Sequence, residues 1–394
     1  MSHDRPPAGS VARVRPICYG LPHHDRRGLG ARHRAACRRG SARRGAPGDG
    51  GERRRERGPR PRLRDPRRAV LGASGTGVLT ERGEAEGGPA VAVLVVRSDG
   101  PLLASPFLLA DREALDTGAG AELAERAAPA VAEGGCLLIL PDAMNLDPHG
   151  LLRALGDGLG PVPVLGGVAA GSPVFELYAT DVATRALPAL AVSGARPVVG
   201  VAQGCQPIGE PYVVTGGEGN VVRAIAGRRP IEVLREALRA VPDLERRVGQ
   251  AGVFAGLAIN PAKSPLERGD FLVRNLAGVD RETGAVAVAE AVRIGQTIQF
   301  HIRDAQAARE DLEAMLDRVQ AALAGRRPAF GVYFNCAGRG QGLYGVRGHD
   351  VTAIRRRLGD WPLVGFFGNG EFAPVGGRNF FHNYTGVLAL FPES

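Results

Sequence analysis

The groups best suited to chemistry lie near the end of the chain. Cys336 and Arg339 follow the apolar run Phe330-Gly331-Val332-Tyr333-Phe334. Asn369 and Glu371 sit in a glycine-studded turn that includes Gly365 and Gly370, with His382 and Asn383 shortly beyond. A guanidinium presents a fork of donors that matches a carboxylate. A carboxylate flanked by amides can grip an amino or amide group, and glycine lets backbone N–H groups come close to a ligand. Arg339, Gly365, Asn369, Gly370, Glu371, His382 and Asn383 are therefore expected to contact a ligand. A second chemistry uses the same neighbourhood, with Cys336 as a nucleophile activated by Arg339 and with His382 or Glu371 as its base. Each residue also has a structural explanation, core packing for Cys336 and turn formation for the Asn and His residues. For Cys336, packing outweighs catalysis.

Histidines at 149, 301, 349 and 382 form no i, i+4 pair, and cysteines at 18, 37, 136, 205 and 336 follow neither a zinc nor a disulfide spacing. No metal and no cofactor is expected, and a reducing cytoplasm is the default compartment.

The elements that must position these groups repeat. A skeleton of small residue, two aliphatics, Gly, four residues, Gly runs from Pro362 through Gly365 to Gly370. It recurs from Ala69 through Gly72 to Gly77 and from Pro163 through Gly166 to Gly171. The last two copies share a prelude: a buried strand (136–140 or 330–334), a loop, and a helix. Asp147-Pro148 opens the first of these helices, and Asp350 is expected to cap the second. The unit strand, loop, helix, strand, glycine turn predicts an α/β protein of two layered halves with mixed sheets. Further strands are expected at 198–202, 212–215, 220–225, 253–259, 271–275, 285–289 and 297–302. Pro230 opens a short helix and Asp304 a long one. By the logic of the repeat a strand and helix should precede Ala69, and 1–68 shows the pattern of neither.

Residues 1–68 hold 20 Arg against 6 Asp plus Glu, a net of +14, whereas 69–394 hold 30 basic and 35 acidic residues, a net of −5. The overall +9 thus belongs to the head, and the body is mildly acidic. The head, rich in Arg, Gly and Pro without Phe or Trp, is expected to be disordered. Its composition also matches out-of-frame translation of GC-rich codons. At 394 residues the chain exceeds what one core usually supports. The expected division is a head at 1–68, one domain at 69–195 and a second at 196–394. Apolar runs stay well short of the roughly 18 residues of a membrane span, so no transmembrane helix is expected.

From about residue 69 onward the chain resembles FIST proteins, with the later part of a FIST N domain followed by a FIST C domain. The residues that carry this are Val70-Leu71-Gly72 with Glu84-Ala85-Glu86, Pro163 to Gly167, Gln203 to Pro211, Glu218-Gly219-Asn220, Asp270 to Asn275, Gly295 to His301, Asn335 to Gly340, and 361–391. The resemblance implies an intracellular sensory domain in signal transduction, of the kind found in bacterial signalling proteins and one group of F-box proteins. It implies a non-enzymatic protein that binds a small polar metabolite such as an amino acid and signals through a separate output protein. Membrane and nucleic acid are not expected as partners. Two alternatives stand beside it: an enzyme processing a small amide or amino acid through Cys336, and nucleic-acid binding through the basic head.

Overall fold

A computed structural model describes residues 13–19, 69–98, 100–132, 134–242 and 252–393. The repeat is realised as three related units. Unit one comprises β1 (Arg13–Tyr19), β2 (Leu71–Ala73), β3 (Gly77–Thr80), β4 (Gly83–Glu86) and β5 (Val91–Arg97). Unit two runs β6 (Leu103–Leu109), α1 (Thr117–Val131), β7 (Gly135–Ile139), α2 (Pro148–Leu159), β8 (Val164–Gly167), β9 (Glu176–Tyr178), β10 (Asp181–Ala183) and β11 (Leu187–Ser193).

Unit three opens with β12 (Val198–Gln203) and leaves its sheet for β13 (Cys205–Glu218), β14 (Val221–Ile225), α3 (Pro230–Arg239), β15 (Val253–Ala258), β16 (Phe271–Val279), β17 (Val286–Val288) and β18 (Thr297–Arg303). It resumes with α4 (Ala305–Leu323), β19 (Pro328–Cys336), α5 (Gly340–Tyr344), α6 (His349–Leu358), β20 (Leu363–Gly368), β21 (Glu371–Val375), β22 (Arg378–His382) and β23 (Thr385–Pro392).

Two six-stranded sheets follow one plan, in the orders β6-β11-β7-β8-β21-β22 and β12-β23-β19-β20-β3-β4. In each, a largely buried strand pairs in parallel with the strand after its helix, β7 with β8 and β19 with β20. Burial on both faces explains why these strands read as unbroken apolar runs. The last strand of each unit returns antiparallel to an earlier strand of the same unit: β11 on β7, β23 on β19, and likewise β5 on β1. Here the structure departs from expectation. A strand at Arg13–Tyr19 pairs with β5 as β7 does with β11 and β19 with β23, and the rest of 1–68, on which the expectation of disorder rests, lies outside the described residues.

The hairpins are exchanged in a cycle. The β3–β4 hairpin of unit one docks on β20 of unit three, β9–β10 of unit two on β2 of unit one, and β21–β22 of unit three on β8 of unit two. The three glycine turns meet where these exchanges cross. The Ala170 amide donates to Ser74 O at 3.0 Å, Thr76 to Phe367 O at 2.9 Å, and Asn369 to Val168 O at 3.0 Å.

Between the sheets lies a core of Leu138, Leu165, Phe330, Phe334, Phe366 and Phe391, to which β5 adds Leu94 and Val96. Helices α1 and α2 cover the outer face of one sheet, and α4 and α6 that of the other. The strands expected in the middle of the chain close into a six-stranded barrel, β13-β14-β17-β16-β15-β18, filled by Ile208, Val222, Leu257, Ile298, Phe300 and Ile302 and stoppered by Val233 and Leu234 of α3. Among the described residues no helix is long and apolar enough to cross a membrane.

Candidate functional site

β19 and β20 run in parallel, so their carboxyl ends, Cys336 and Gly368, emerge at the same edge of the sheet. Gln203, the last residue of β12, and Thr385, the first of β23, pair at that edge. The chain crosses it at Gly204 to enter the barrel, and the Gly204 amide donates to Tyr384 O at 2.8 Å. Ligands of open α/β sheets bind outside the carboxyl ends of the strands, and here the barrel roofs that edge. Tyr384 holds φ at +63°, a costly left-handed conformation for a non-glycine residue. The turn aims its ring against Phe254 of the barrel, 4.5 Å between centroids, and its hydroxyl at Asn275 Oδ1, 2.6 Å away.

Arg339 lies one turn past β19 and is 1% exposed. Its Nε and Nη2 donate to Asp350 Oδ2 at 3.3 and 3.2 Å, and Nη2 also reaches the Tyr344 hydroxyl at 2.6 Å. Asp350 is not the helix cap expected of it. The cap position is Gly348, and the Asp350 carboxylate turns inward to accept from Arg339, Tyr333 and Asn335. Burial opposes both charges, but each holds the other: the carboxyl stays well below its ordinary range and the guanidinium well above. The vacated cap is supplied by unit one, where Glu84 Oε1 accepts from the Val351 amide at 3.0 Å. Glu86 accepts from the Gln341 amide at 3.0 Å, at the start of α5.

Glu371 opens β21 and is wholly buried. Oε2 accepts from the Thr385 hydroxyl at 2.6 Å and from its amide at 3.3 Å. Burial pushes the carboxyl up to about 8, against the pull of Thr385 and of the nearby Arg339 charge. The outer atoms of both groups are unpaired: among the described residues Arg339 Nη1 and Glu371 Oε1 are buried without a hydrogen-bond partner, as is Asn335 Oδ1. A buried donor or acceptor left unpaired costs about 1–3 kcal/mol, more when charged. This cluster therefore stores a demand for a partner that carries both an acceptor and a donor.

Of the residues expected at the site, Arg339, Glu371 and Cys336 share one electrostatic neighbourhood. Asn369 and Gly370 form its lip, Asn369 exposed to solvent. Gly365 sits within β20, where a Cβ would lie 1.9 Å from Tyr333 O, so glycine there serves strand packing. The His382 Nε2 lies 3.2 Å from Ala373 O, and burial pulls its pKa down to about 4. Asn383 accepts from Arg274 of the barrel at 3.4 Å, and Arg274 also bonds Phe381 O at 2.9 Å and pairs with Glu290. Asn383 is thus a seam residue between barrel and sheet. The Cys336 thiol is pushed up to about 12, first by burial and then by Glu371, the reverse of what a nucleophile requires. Cys205, on the barrel side of the seam, feels Cys336, Arg303 and Arg339.

Asp350 and Thr385 are not visible as site residues from sequence, whereas Tyr384 stands out there as part of a polar cluster with His382 and Asn383. A buried arginine calls for a counter-ion, which is the signal that would have marked Asp350.

The FIST N domain pattern matches residues 61–228 and the FIST C domain pattern residues 230–374. An uncharacterized protein of Mycobacterium tuberculosis strain H37Rv is 37% identical over 329 residues, covering 82% of this chain and 84% of its own. An uncharacterized protein of Mycobacterium bovis is 35% identical over 331 residues, 82% of this chain and 83% of its own. The human F-box only protein 22 is 33% identical over 94 residues, 20% of this chain and 23% of its own. The chain belongs to the FIST family, with a FIST N domain followed by a FIST C domain.

Proposed function

We propose that this protein is a sensory module for a small zwitterion such as an amino acid, bound at the carboxyl edge of β19 and β20 under the barrel. The observation that carries the reading is the pair of buried, unpartnered atoms of opposite character, Arg339 Nη1 and Glu371 Oε1. A ligand carboxylate satisfies the first and a ligand ammonium the second, and charge-assisted bonds of this kind are roughly twice as strong as neutral ones. The association of FIST domains with sensory roles in signal transduction supports the same conclusion. Because the ligand bridges sheet and barrel, its binding changes the seam held by Arg274, Asn383 and Tyr384, and a separate protein reads that change.

Calorimetric titration with alanine, propionate and ethylamine, followed by the remaining amino acids, tests this. Zwitterions are expected to bind and both half-ligands to bind at least about tenfold more weakly. Glu371→Gln is expected to abolish the advantage of the zwitterion over the acid. With a carboxyl pKa of about 8, the ionised form that an ammonium needs grows as pH rises, so affinity is expected to increase by up to tenfold per unit below pH 8 and then level off. Failure of every amino acid to bind, or an affinity that falls over this range, would remove the reading.

A further inference from the structure

The repeat places a cleft at the opposite, amino end of each sheet, where paired helices end and diverge. Between α1 and α2 it is lined by small and apolar residues with Arg196, in a volume of about 510 Å³. Between α4 and α6 the equivalent cleft, about 430 Å³, has apolar walls in Leu323, Pro328, Leu358 and Pro362, and carries Arg326, Arg327, Arg357 and Trp361. Architecture explains why a cleft exists in both places. It does not explain why only one bears three guanidinium groups and the chain's single tryptophan.

Two of those cations have structural duties. Arg326 Nε donates to Leu323 O at 3.1 Å, closing the end of α4, and Arg357 pairs with Asp317. Each guanidinium has five N–H groups, so both keep donors to spare. Arg327 is exposed; its carbonyl accepts from the Glu393 amide at 2.8 Å, and its guanidinium makes no hydrogen bond or ion pair with any described residue. Trp361 supplies an independent observation. Its side chain is buried, 8% exposed, and its six-membered ring lies over Gly331, where a Cβ would come within 2.5 Å of Cζ3. That turns the pyrrole edge away from the sheet, and its Nε1–H, buried indole's usual hydrogen-bonding handle, has no partner among the described residues. Of the acids lining the cleft, Asp360 is engaged by Arg355, which leaves Glu393 at the rim.

We infer that this cleft is a second ligand site, distinct from the Arg339–Glu371 cluster, for a small organic acid with an apolar body. Three guanidinium groups and the buried indole N–H outweigh Glu393 and the Arg355-engaged Asp360, so the ligand presents acceptors. The apolar walls and indole favour a carboxylate on a hydrocarbon over a bare anion, and the volume falls within the range of small-molecule pockets.

Because Trp361 is the sole tryptophan, its emission reports on this cleft alone. Hexanoate, hexylammonium and hexanol are titrated into the full chain at constant ionic strength. Hexanoate is expected to shift the emission saturably and the other two to act at least about tenfold more weakly. Arg327→Ala, at an exposed position without a folding duty, is expected to weaken hexanoate by about tenfold, Arg327→Lys by less, and Glu393→Gln to strengthen it. Glu371→Gln is expected to leave the response unchanged, so this site stands or falls apart from the zwitterion site. No saturable change, an equal response to hexylammonium or hexanol, or indifference to Arg327→Ala would overturn the inference.

Discussion

Buried ionisable side chains are this molecule's costliest choices, and they divide by whether a partner has been supplied. Arg339 and Asp350 compensate each other, and removing one member of such a pair typically costs about 3–5 kcal/mol. Glu371 is half compensated by Thr385, leaving one oxygen for chemistry. Glu176 in unit two is the extreme case, wholly buried, with neither carboxylate oxygen in a well-formed hydrogen bond to a described residue and only nearby backbone N–H groups, Ala186's first, to favour its charge. Burial, then the charge of Asp142, push it up to about 8 from an ordinary value of 4.5. The linkage has a definite sign. Between about 4.5 and 8 the folded state keeps a proton that the unfolded chain has released, so rising pH favours unfolding over that interval. Glu176→Gln removes the linkage while keeping the shape. It is expected to leave stability nearly unchanged at pH 5 and to raise it by more than about 1 kcal/mol at pH 8. Denaturant melts at the two values check this, and a variant that gains nothing at pH 8 would show that Glu176 is ionised at little cost in the fold.

At the scale of elements, the site is assembled from pieces that no single unit owns. The arginine, its counter-ion and its tyrosines come from unit three. The helices that carry them, α5 and α6, begin on carboxylates from β4 of unit one. A carboxylate at a helix start satisfies free N–H groups and complements the helix dipole. Glu84 is the more telling of the two. Burial first and then Asp350 push it up to about 7, so its grip on α6 is strongest above neutrality. Replacing Glu84 and Glu86 together by Ala is expected to cost about 1–2 kcal/mol per cap. It should also loosen 340–351, where Arg339 is anchored. Hydrogen exchange localises the effect: faster exchange at Gln341 and Val351 with β19 unchanged is expected, whereas uniform acceleration across the sheet would point to a general loss of packing. Ligand affinity should fall with the local loosening, because the guanidinium would lose its fixed aim.

For the molecule as a whole, local signals were legible and closure was not. Apolar runs bounded by Gly and Pro marked β7, β19 and the barrel strands to within a few residues, except β13, whose span Cys205–Glu218 far exceeds the expected 212–215, and Asp147-Pro148 and Asp304 marked true helix starts, because strand periodicity and capping are decided by neighbours in sequence. Arg339 and Glu371 could be singled out for the same reason. The exchange of hairpins joins residues as far apart as Val364 and Thr80, barrel closure joins Cys205 to Arg303, and the inward turn of Asp350 answers to Arg339, Asn335 and Tyr333 across a loop, so no local pattern encodes them. That exchange makes the expected division at 195 a boundary between sheets rather than between independent folds. Cut there, the first piece would lose β21 and β22 from the edge of β8, and the second would lose β3 and β4 from β20. Each would expose its half of the core shared by Leu138, Leu165, Phe334 and Phe366, together with unpaired strand edges that invite aggregation. Residues 69–195 and 196–394 expressed apart are therefore expected to be insoluble or to lack a cooperative thermal transition. Co-expressed, they are expected to associate and recover one transition, since the hairpins can be exchanged between chains. Two separately folded, cooperatively melting pieces would mean that the hairpins are ornaments on self-sufficient domains. Recovery on co-expression alone would show that the three units form one folding body.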